Sequence, residues 1–497
     1  MIDNLLLGFS ESLSLTNLVW CFVGVLIGTF VGVIPGFGPL TAMSMLLPLT
    51  YTFIDPIGAI IMMAGIYYGS QYGGSTTAIL LKLPGETSSV VSTIDGYELA
   101  KKGYAGAALT VAAISSFIAG TFATIVIALF SPEMIKLALV FTPKEYFSLI
   151  FFGVICACLM TQQHIIKGLL LVMFGLLLST IGTDVASGEI RNIFGIWDLA
   201  SGINFIPLCI GLYGLGEIFY NIFHGNKQKI KLISQVKLFS KKTLTKIKEA
   251  KGAISRGTLL GTLLGIIPGG GSILSSFFSY VLEKKIAKDK SKFGKGDIRG
   301  LAGPESANNA GAQTSFIPML SLGLPVNPVM ALMMATMLIH NIQPGPSVMT
   351  NNPKLFWGLI ASMWIGNLML IVINLATVKL FINFLYVKRS YIYFLVISFC
   401  FFGTYITSYN LFDLYVLIIF GAIGYFFKYN KIDCSPLILG FILGPKLEET
   451  MRHTLQINHG DILKFFDSKI SMFFYILTVL IIFFFAKKNN KIKGINV

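Results

Sequence analysis

The sequence predicts an all-α polytopic membrane protein with about 10–13 transmembrane helices, two inverted structural repeats, and helices that break or re-enter. Three observations lead there. The 497 residues are 54% hydrophobic and only 12% charged, with a mean hydropathy of +0.75. A soluble domain carries about 25% charged residues, so this chain lacks the polar cover that water requires. Long apolar stretches recur along the chain, many of them close to the roughly 20 residues that cross a bilayer. Finally, Ile-Pro-Gly punctuation interrupts two of those stretches, where a helix is expected to break.

In chain order, the apolar stretches of the first half fall at 15–34, 38–54, 57–81, 106–130, 145–160, 164–182 and 203–223. Those of the second half fall at 254–282, 311–340, 355–386, 391–408, 411–427, 435–444 and 470–486. Lipid offers the backbone no hydrogen-bond partner, so each must be helix, or irregular backbone shielded by protein. Several are too short to span, which predicts re-entrant hairpins.

Charge placement sets the orientation. The net charge is +15, yet no Lys or Arg precedes Lys82. Nine lysines lie between Lys227 and Lys251, against the single acid Glu249. A second basic stretch runs from Lys284 to Arg299, and the tail carries Lys487, Lys488, Lys491 and Lys493. In so apolar a chain these runs read as cytoplasmic loops by the positive-inside rule, and nucleic acid is excluded as a partner. The amino terminus has no basic n-region or small-residue cleavage site, so a cleaved signal peptide is not expected.

The chain also repeats itself. Gly28-Thr29-Phe30-Val31-Gly32-Val33-Ile34-Pro35-Gly36-Phe37-Gly38 matches Gly261-Thr262-Leu263-Leu264-Gly265-Ile266-Ile267-Pro268-Gly269-Gly270-Gly271 at a constant offset of 233, with seven of eleven positions identical. Leu81-Lys82-Leu83-Pro84 faintly echoes Leu322-Gly323-Leu324-Pro325. The expected organisation is a first membrane repeat at 10–225, a basic cytoplasmic loop at 226–252, a second repeat at 253–390, and C-terminal spans with a basic tail at 391–497. Acids (Asp3, Glu11, Asp55) flank the first glycine-proline segment and lysine runs flank the second. Two hairpins opening to opposite sides make an inverted-topology repeat, an arrangement used by secondary transporters.

Three clusters carry candidate chemistry. At each glycine-proline break, freed N–H groups at a half-helix start favour an anion, which nominates Gly36, Gly38, Gly270 and Gly271. A plain kink is the alternative reading. In Tyr67-Tyr68-Gly69-Ser70-Gln71-Tyr72-Gly73-Gly74-Ser75-Thr76-Thr77, Ser75 and Thr76 could bind substrate, or the small residues could simply pack helices together. In Gly303-Pro304-Glu305-Ser306-Ala307-Asn308-Asn309, Asn308 and Asn309 are substrate-ligand candidates, because amides in an apolar run need partners. Glu305 is the candidate for cation coupling, unless it is only a first-turn charge. Asp95-Gly96-Tyr97 reads as a surface turn, and His340, His164 and Gln162-Gln163 as packing residues.

Nothing in the sequence signals an enzyme. The six cysteines lie mostly inside apolar segments and the five histidines are scattered, so neither redox chemistry nor a metal site beyond a Na⁺ is expected. There is no phosphate-binding loop, no intramembrane arginine row and no zinc-protease helix. Energy must come from an ion gradient or a partner, with Na⁺ or H⁺ in place of any cofactor.

At these residues the sequence resembles the large permease subunit of the tripartite tricarboxylate transporters. The resemblance rests on Gly73-Gly74-Ser75, Leu83-Pro84-Gly85 and Asp95-Gly96-Tyr97, then on Ser279-Tyr280, Glu283-Lys284, Pro304-Glu305-Ser306-Ala307-Asn308-Asn309 and Pro344-Gly345-Pro346. It covers most of residues 15–385. It implies a multi-pass carrier of the bacterial inner membrane, importing organic acid anions on a sodium or proton gradient. It further implies a small membrane subunit and a periplasmic substrate-binding protein as partners, an elevator-like motion, and room for a homodimer in the lipid bilayer. Lys82, Val326-Asn327 and Arg299 depart from the usual family pattern, so the resemblance implies an anion without specifying citrate. A stand-alone ion-coupled carboxylate carrier, a passive channel, and a membrane-embedded enzyme acting on lipid precursors are the rival readings.

Overall fold

A computed structural model of the chain describes residues 2–34, 37–160, 165–184, 187–224, 241–267, 271–377, 380 and 389–493. The all-α expectation holds: helices follow one another along the chain, and among the described residues the only sheet is a two-stranded ribbon.

Helix α1 (Ile2–Ser12) leads into α2 (Leu15–Val33), whose start is capped by Ser14 through the Asn17 N–H. Gly38 then caps α3 (Pro39–Phe53), and Asp55 caps α4 (Pro56–Leu81), each with proline in the first turn, where its missing N–H costs nothing. A loop and a 3₁₀ turn over 87–90 give α5 (Ser92–Leu99) and the long α6 (Ala105–Ala138). Next come α7 (Pro143–Met160), α8 (Ile165–Ser179), a hairpin pairing Gly182–Thr183 with Ile190–Arg191, α9 (Phe205–Cys209) and α10 (Gly216–His224).

The second half opens with α11 (Lys241–Gly265), so the C-terminal end of the expected basic loop is helical. It continues through α12 (Gly271–Ile286), α13 (Arg299–Thr314), α14 (Phe316–Leu322), α15 (Pro328–Ile339), α16 (Val348–Asn351) and α17 (Pro353–Ala376). The chain closes with α18 (Arg389–Ser408), α19 (Leu411–Tyr429), α20 (Ser435–Ile457) and α21 (Lys469–Lys493). Among the described residues, six helical segments are long and apolar enough to cross a membrane. That is fewer than the 10–13 expected, because several apolar stretches are split into shorter helices. Outward-facing side chains such as Leu170, Phe394 and Phe483 are more than 60% exposed, as suits surfaces that meet lipid.

Two glycine ladders organise the centre. On α2, Gly24, Gly28 and Gly32 lie against the carbonyls of Met62, Ile66 and Ser70 on α4, so closely that an added Cβ would stand 2.3–2.4 Å from each oxygen. On α11, Gly257, Gly261 and Gly265 meet the carbonyls of Gly303, Ala307 and Gly311 on α13 in the same way, an added Cβ standing 2.2, 2.3 and 2.5 Å from the oxygens. The first set maps onto the second at the sequence offset of 233, and their partners map at 241. Carried forward at 241, Lys82 meets Gly323 and Pro84 meets Pro325. Lys82 (φ 59°) and Gly323 (φ 68°) both end their helix in the left-handed conformation. Small-residue contact of this kind is how helices approach where lipid removes the hydrophobic drive.

Outside the spans, Arg191 of the ribbon makes a bidentate pair with Glu448 on α20, at 2.7 Å to each oxygen. Arg452 joins Glu448 (2.7 Å) and Asp184 (2.9 Å). The Arg191 hydrogen bonds hold the Glu448 carboxyl below the usual carboxylate range, fixing the ribbon to the helix.

The ladders yield a direct test by thermal unfolding in detergent. Gly28→Ala places a Cβ 2.4 Å from the Ile66 oxygen and should destabilise by about 1–3 kcal/mol. Gly153→Ala, where nothing lies within 4 Å, should be neutral or gain up to about 1 kcal/mol.

Candidate functional site

Helix α4 is buried from Gly58 to Leu80 and α13 from Gly300 to Thr314. Any polar side chain they carry must therefore find its partner within the protein. Ser75 on α4 meets this need by donating to the Glu305 carboxylate of α13, with its oxygen 2.8 and 2.7 Å from the two carboxylate oxygens. Ser92, at the start of α5, also donates to Glu305. Glu305 is fully buried and sits in mid-helix. Because α13 begins at Arg299, Pro304 lies inside the helix, which corrects the first-turn placement of Pro304 and Glu305. Among the described residues no Lys, Arg or His comes within ion-pair distance of Glu305.

One turn earlier on α4, Gln71 reaches the loop over 82–91 that turns α4 back into α5, the first hairpin tip. Its amide donates to Glu86 (2.9 Å), and its oxygen accepts from Ser88 (3.0 Å). Ser88 also donates to Glu86. The Ser88 carbonyl accepts from Ser276 of α12 (3.0 Å), so a tip from the first half is fastened to a helix of the second. Gly85 makes this seating possible: an added Cβ would stand 1.7 Å from the Gly32 oxygen. In the matching loop over 323–327 between α14 and α15, the second hairpin tip, Asn327 caps α15 through the Met330 N–H (2.9 Å) and donates to Ser315 (3.2 Å). The Glu86 and Asn327 positions correspond at the same 241-residue offset. Tyr67, Ser272 and Asn327 gather on the Glu86 side of the cluster.

The nominated residues divide. Ser75 and Glu305 touch. Thr76 joins them in lining a small cavity with Tyr72, Ser116 and Asn374. Asn308 is 1% exposed and lies beside Glu86, yet neither of its amide atoms has a hydrogen bond. Asn309 is already committed, donating to Ser116 (2.7 Å) and to the Glu305 carbonyl (3.0 Å), so its amide is engaged in holding α6 to α13. Gly271 adopts φ 53° at the start of α12, with its missing Cβ 3.2 Å from the Asn327 amide nitrogen, whereas Gly38 faces open space. Gly36 and Gly270 lie outside the described residues, as do His164, Gln162 and Gln163.

Sequence reasoning missed Glu86 and Gln71. A signal existed, for Glu86 is the one acid between Pro56 and Ser92. Lys82, one of the departures from the family pattern, holds its ammonium 5.9 Å from the Tyr97 ring on an exposed side chain.

Asp95 corrects the surface-turn reading. It is fully buried on α5. One oxygen accepts from the backbone N–H groups of Gly294 (2.9 Å), Gly296 (2.7 Å) and Asp297 (2.9 Å), and the other from the Tyr280 hydroxyl (3.0 Å). Gly294 and Gly296 have positive φ, which lets the loop before α13 turn its N–H groups inward as a nest. The clamp holds α5, and with it Ser92, against Glu305.

Residues 18–439 match the sequence profile described as the tripartite tricarboxylate transporter TctA family. The chain is 46% identical over 472 residues to a protein of Agrobacterium vitis named "Uncharacterized 52.8 kDa protein in TAR-I ttuC' 3'region", covering 95% of this chain and 93% of the relative. A second Agrobacterium vitis protein, from the "TAR-II ttuC' 3'region", is 47% identical over 211 residues, covering 42% of this chain and 87% of the relative. No solved structure matches the chain.

Charge-assisted hydrogen bonds of the Asp95 kind contribute about 1.5–3 kcal/mol each way they are tested. Asp95→Asn should therefore lower thermal stability by roughly that amount, since an amide accepts fewer of the four donors. A melting temperature unchanged from wild type would remove the clamp from the account.

Proposed function

The chain belongs to the tripartite tricarboxylate transporter TctA family, and from that membership we propose that it is the large membrane subunit of a secondary carrier importing an organic acid anion. Its substrate is delivered by a periplasmic binding protein, a small membrane subunit accompanies it, and a sodium or proton gradient drives uptake across a bacterial inner membrane. The anion binds between the two hairpin tips, near Glu86, Asn308, Asn327 and the start of α12 at Gly271.

The observation that carries this reading is the buried amide of Asn308, which faces the Glu86 carboxylate but has no partner within 3.5 Å on either amide atom. A buried amide without partners costs about 1–3 kcal/mol, a cost a protein retains where a ligand relieves it. Its N–H₂ suits a carboxylate and its oxygen a hydroxyl or a protonated acid. The two carboxylates, Glu305 fully buried and Glu86 half-buried, would repel an incoming anion. Co-binding of a cation or proton removes that repulsion, so the charge arrangement itself calls for coupling.

Two halves of opposite orientation would open this site to either side of the membrane in turn. The matched glycine ladders and the opposed charges flanking the two breaks support such a relation. Single cysteines at Asp55 and Lys284 should then label from opposite faces of the membrane, and labelling from one face would refute the inversion.

Uptake of radiolabelled citrate and smaller dicarboxylates, in cells lacking their own carriers, tests the function. Uptake should require both partner subunits and a cation gradient. Transport by the chain alone would establish the stand-alone carrier instead. Asn308→Leu is the informative variant. It should cut uptake by about tenfold, equal to roughly 1.4 kcal/mol, while leaving thermal stability equal or higher, because it removes an unsatisfied buried amide.

A further inference from the structure

We propose that the cavity beside Glu305 binds one dehydrated sodium ion, held by the Glu305 carboxylate, the Ser75 and Ser116 hydroxyl oxygens and the side-chain oxygen of Asn374. The proposal rests on the cation-coupled reading above and deepens it by naming the ion and its ligands.

The cavity is closed by four helices from both halves: Ser75 comes from α4, Ser116 from α6, Glu305 from α13 and Asn374 from α17. Its volume is about 10 Å³, room for roughly one water or one small ion. The chemistry of its wall decides between them. Ser75 directs its proton to Glu305, and Ser92 directs another there from outside the cavity. Ser116 accepts from Asn309 (2.7 Å). Asn374 spends its N–H₂ on the Leu370 carbonyl (3.0 Å), which leaves its side-chain oxygen buried without a partner, on a residue 6% exposed. The polar atoms on this wall are therefore oxygens with lone pairs to give, and Ile79, Leu109, Ala112 and Ala113 close the rest of it.

A water has two protons to share among these acceptors and neutralises nothing. A proton alone would make Glu305 a single O–H donor, able to serve at most one of the remaining oxygens. A monovalent cation satisfies every oxygen and cancels the carboxylate charge. Hard cations take oxygen ligands of this carboxylate, amide and hydroxyl type. With a single carboxylate, the site lacks the charge that divalent calcium sites accumulate.

The position of Asn374 links the ion to movement. Two helical turns earlier on α17, Asn367 is fully engaged: its oxygen accepts from Tyr72 (2.7 Å), and its amide donates to the Phe117 carbonyl (2.9 Å) and Thr121 (3.1 Å). Its end of α17 is thus tied to α4 and α6 by protein groups alone, whereas the end bearing Asn374 waits for a ligand. Sodium would draw that end onto α4 and α13. Ser75 lies one turn from Gln71, which holds Glu86, so the ion and the hairpin tip share one stretch of α4.

The test is ²²Na⁺ binding and thermal unfolding of the purified full-length chain, without substrate or partners, in NaCl against equal KCl or choline chloride. Wild type should bind Na⁺ saturably and be stabilised by it over the other salts. Asn374→Ala and Ser116→Ala should each raise the half-saturating Na⁺ concentration by about tenfold. Two conservative truncations guard against one variant failing to fold. Stability indifferent to Na⁺ in wild type, or both variants binding it as wild type does, would overturn the site and leave the cavity to a water. Sodium binding lost in the variants, in a chain that takes up no organic acid, would support the site and overturn only the transport reading. Uptake that proceeds without any Na⁺ binding would do the reverse.

Discussion

Backbone lying against backbone at the two glycine ladders is the constraint on which the rest of this structure depends. At Gly24, Gly28 and Gly32, and again at Gly257, Gly261 and Gly265, a carbonyl of the neighbouring helix occupies the place where a side chain would be. Lipid-exposed helices gain little from hydrophobic association, and close approach of small residues replaces it with dispersion contact. The approach also leaves no space between α2 and α4, or between α11 and α13. Polar side chains on α4 and α13 are consequently turned towards each other and towards the hairpin tips.

That crowding explains why hydroxyls dominate the centre. Glu305 is served by Ser75 and Ser92, and Glu86 by Gln71 and Ser88. Arginine or lysine would satisfy a carboxylate more strongly, but a cation fixed there would close the charge balance permanently. Neutral donors satisfy the carboxylate geometry without cancelling its charge. The Arg191–Glu448–Arg452–Asp184 cluster shows the contrasting solution. There the pairing is between fixed charges, outside the spans, and its role is to hold a ribbon in place.

Long-range ties then join the halves. Asp95 of the first half accepts from the loop that precedes α13, Ser276 of the second half donates to the first hairpin tip, and Asn309 bonds Ser116. Each tie uses a short side chain whose partner lies roughly 190–200 residues away. The candidate site is built across the two halves, and neither half contains it alone.

The sequence by itself determined the class, the breaks and the repeat. Low charge, high hydropathy and apolar length require membrane helices, and the Ile-Pro-Gly segments at 34–36 and 267–269 mark where α2 and α11 have ended; both follow from local backbone chemistry. The offset of 233 was likewise visible, since the ladder glycines must be glycine wherever they occur. Ser75 and Glu305 could be nominated as polar residues stranded in apolar surroundings. Tertiary structure alone decided which of those residues are spent and which are free. Asn308 and Asn309 are adjacent and chemically identical, yet Asn309 is consumed by Ser116 while Asn308 is unpaired, because successive positions on a helix point about 100° apart. Asp95 looked like a turn and became a buried clamp, and Asn374 became a candidate ligand only once α17 packed beside α4. Whether a polar group is satisfied depends on what the far chain brings to it, and that is a property of packing.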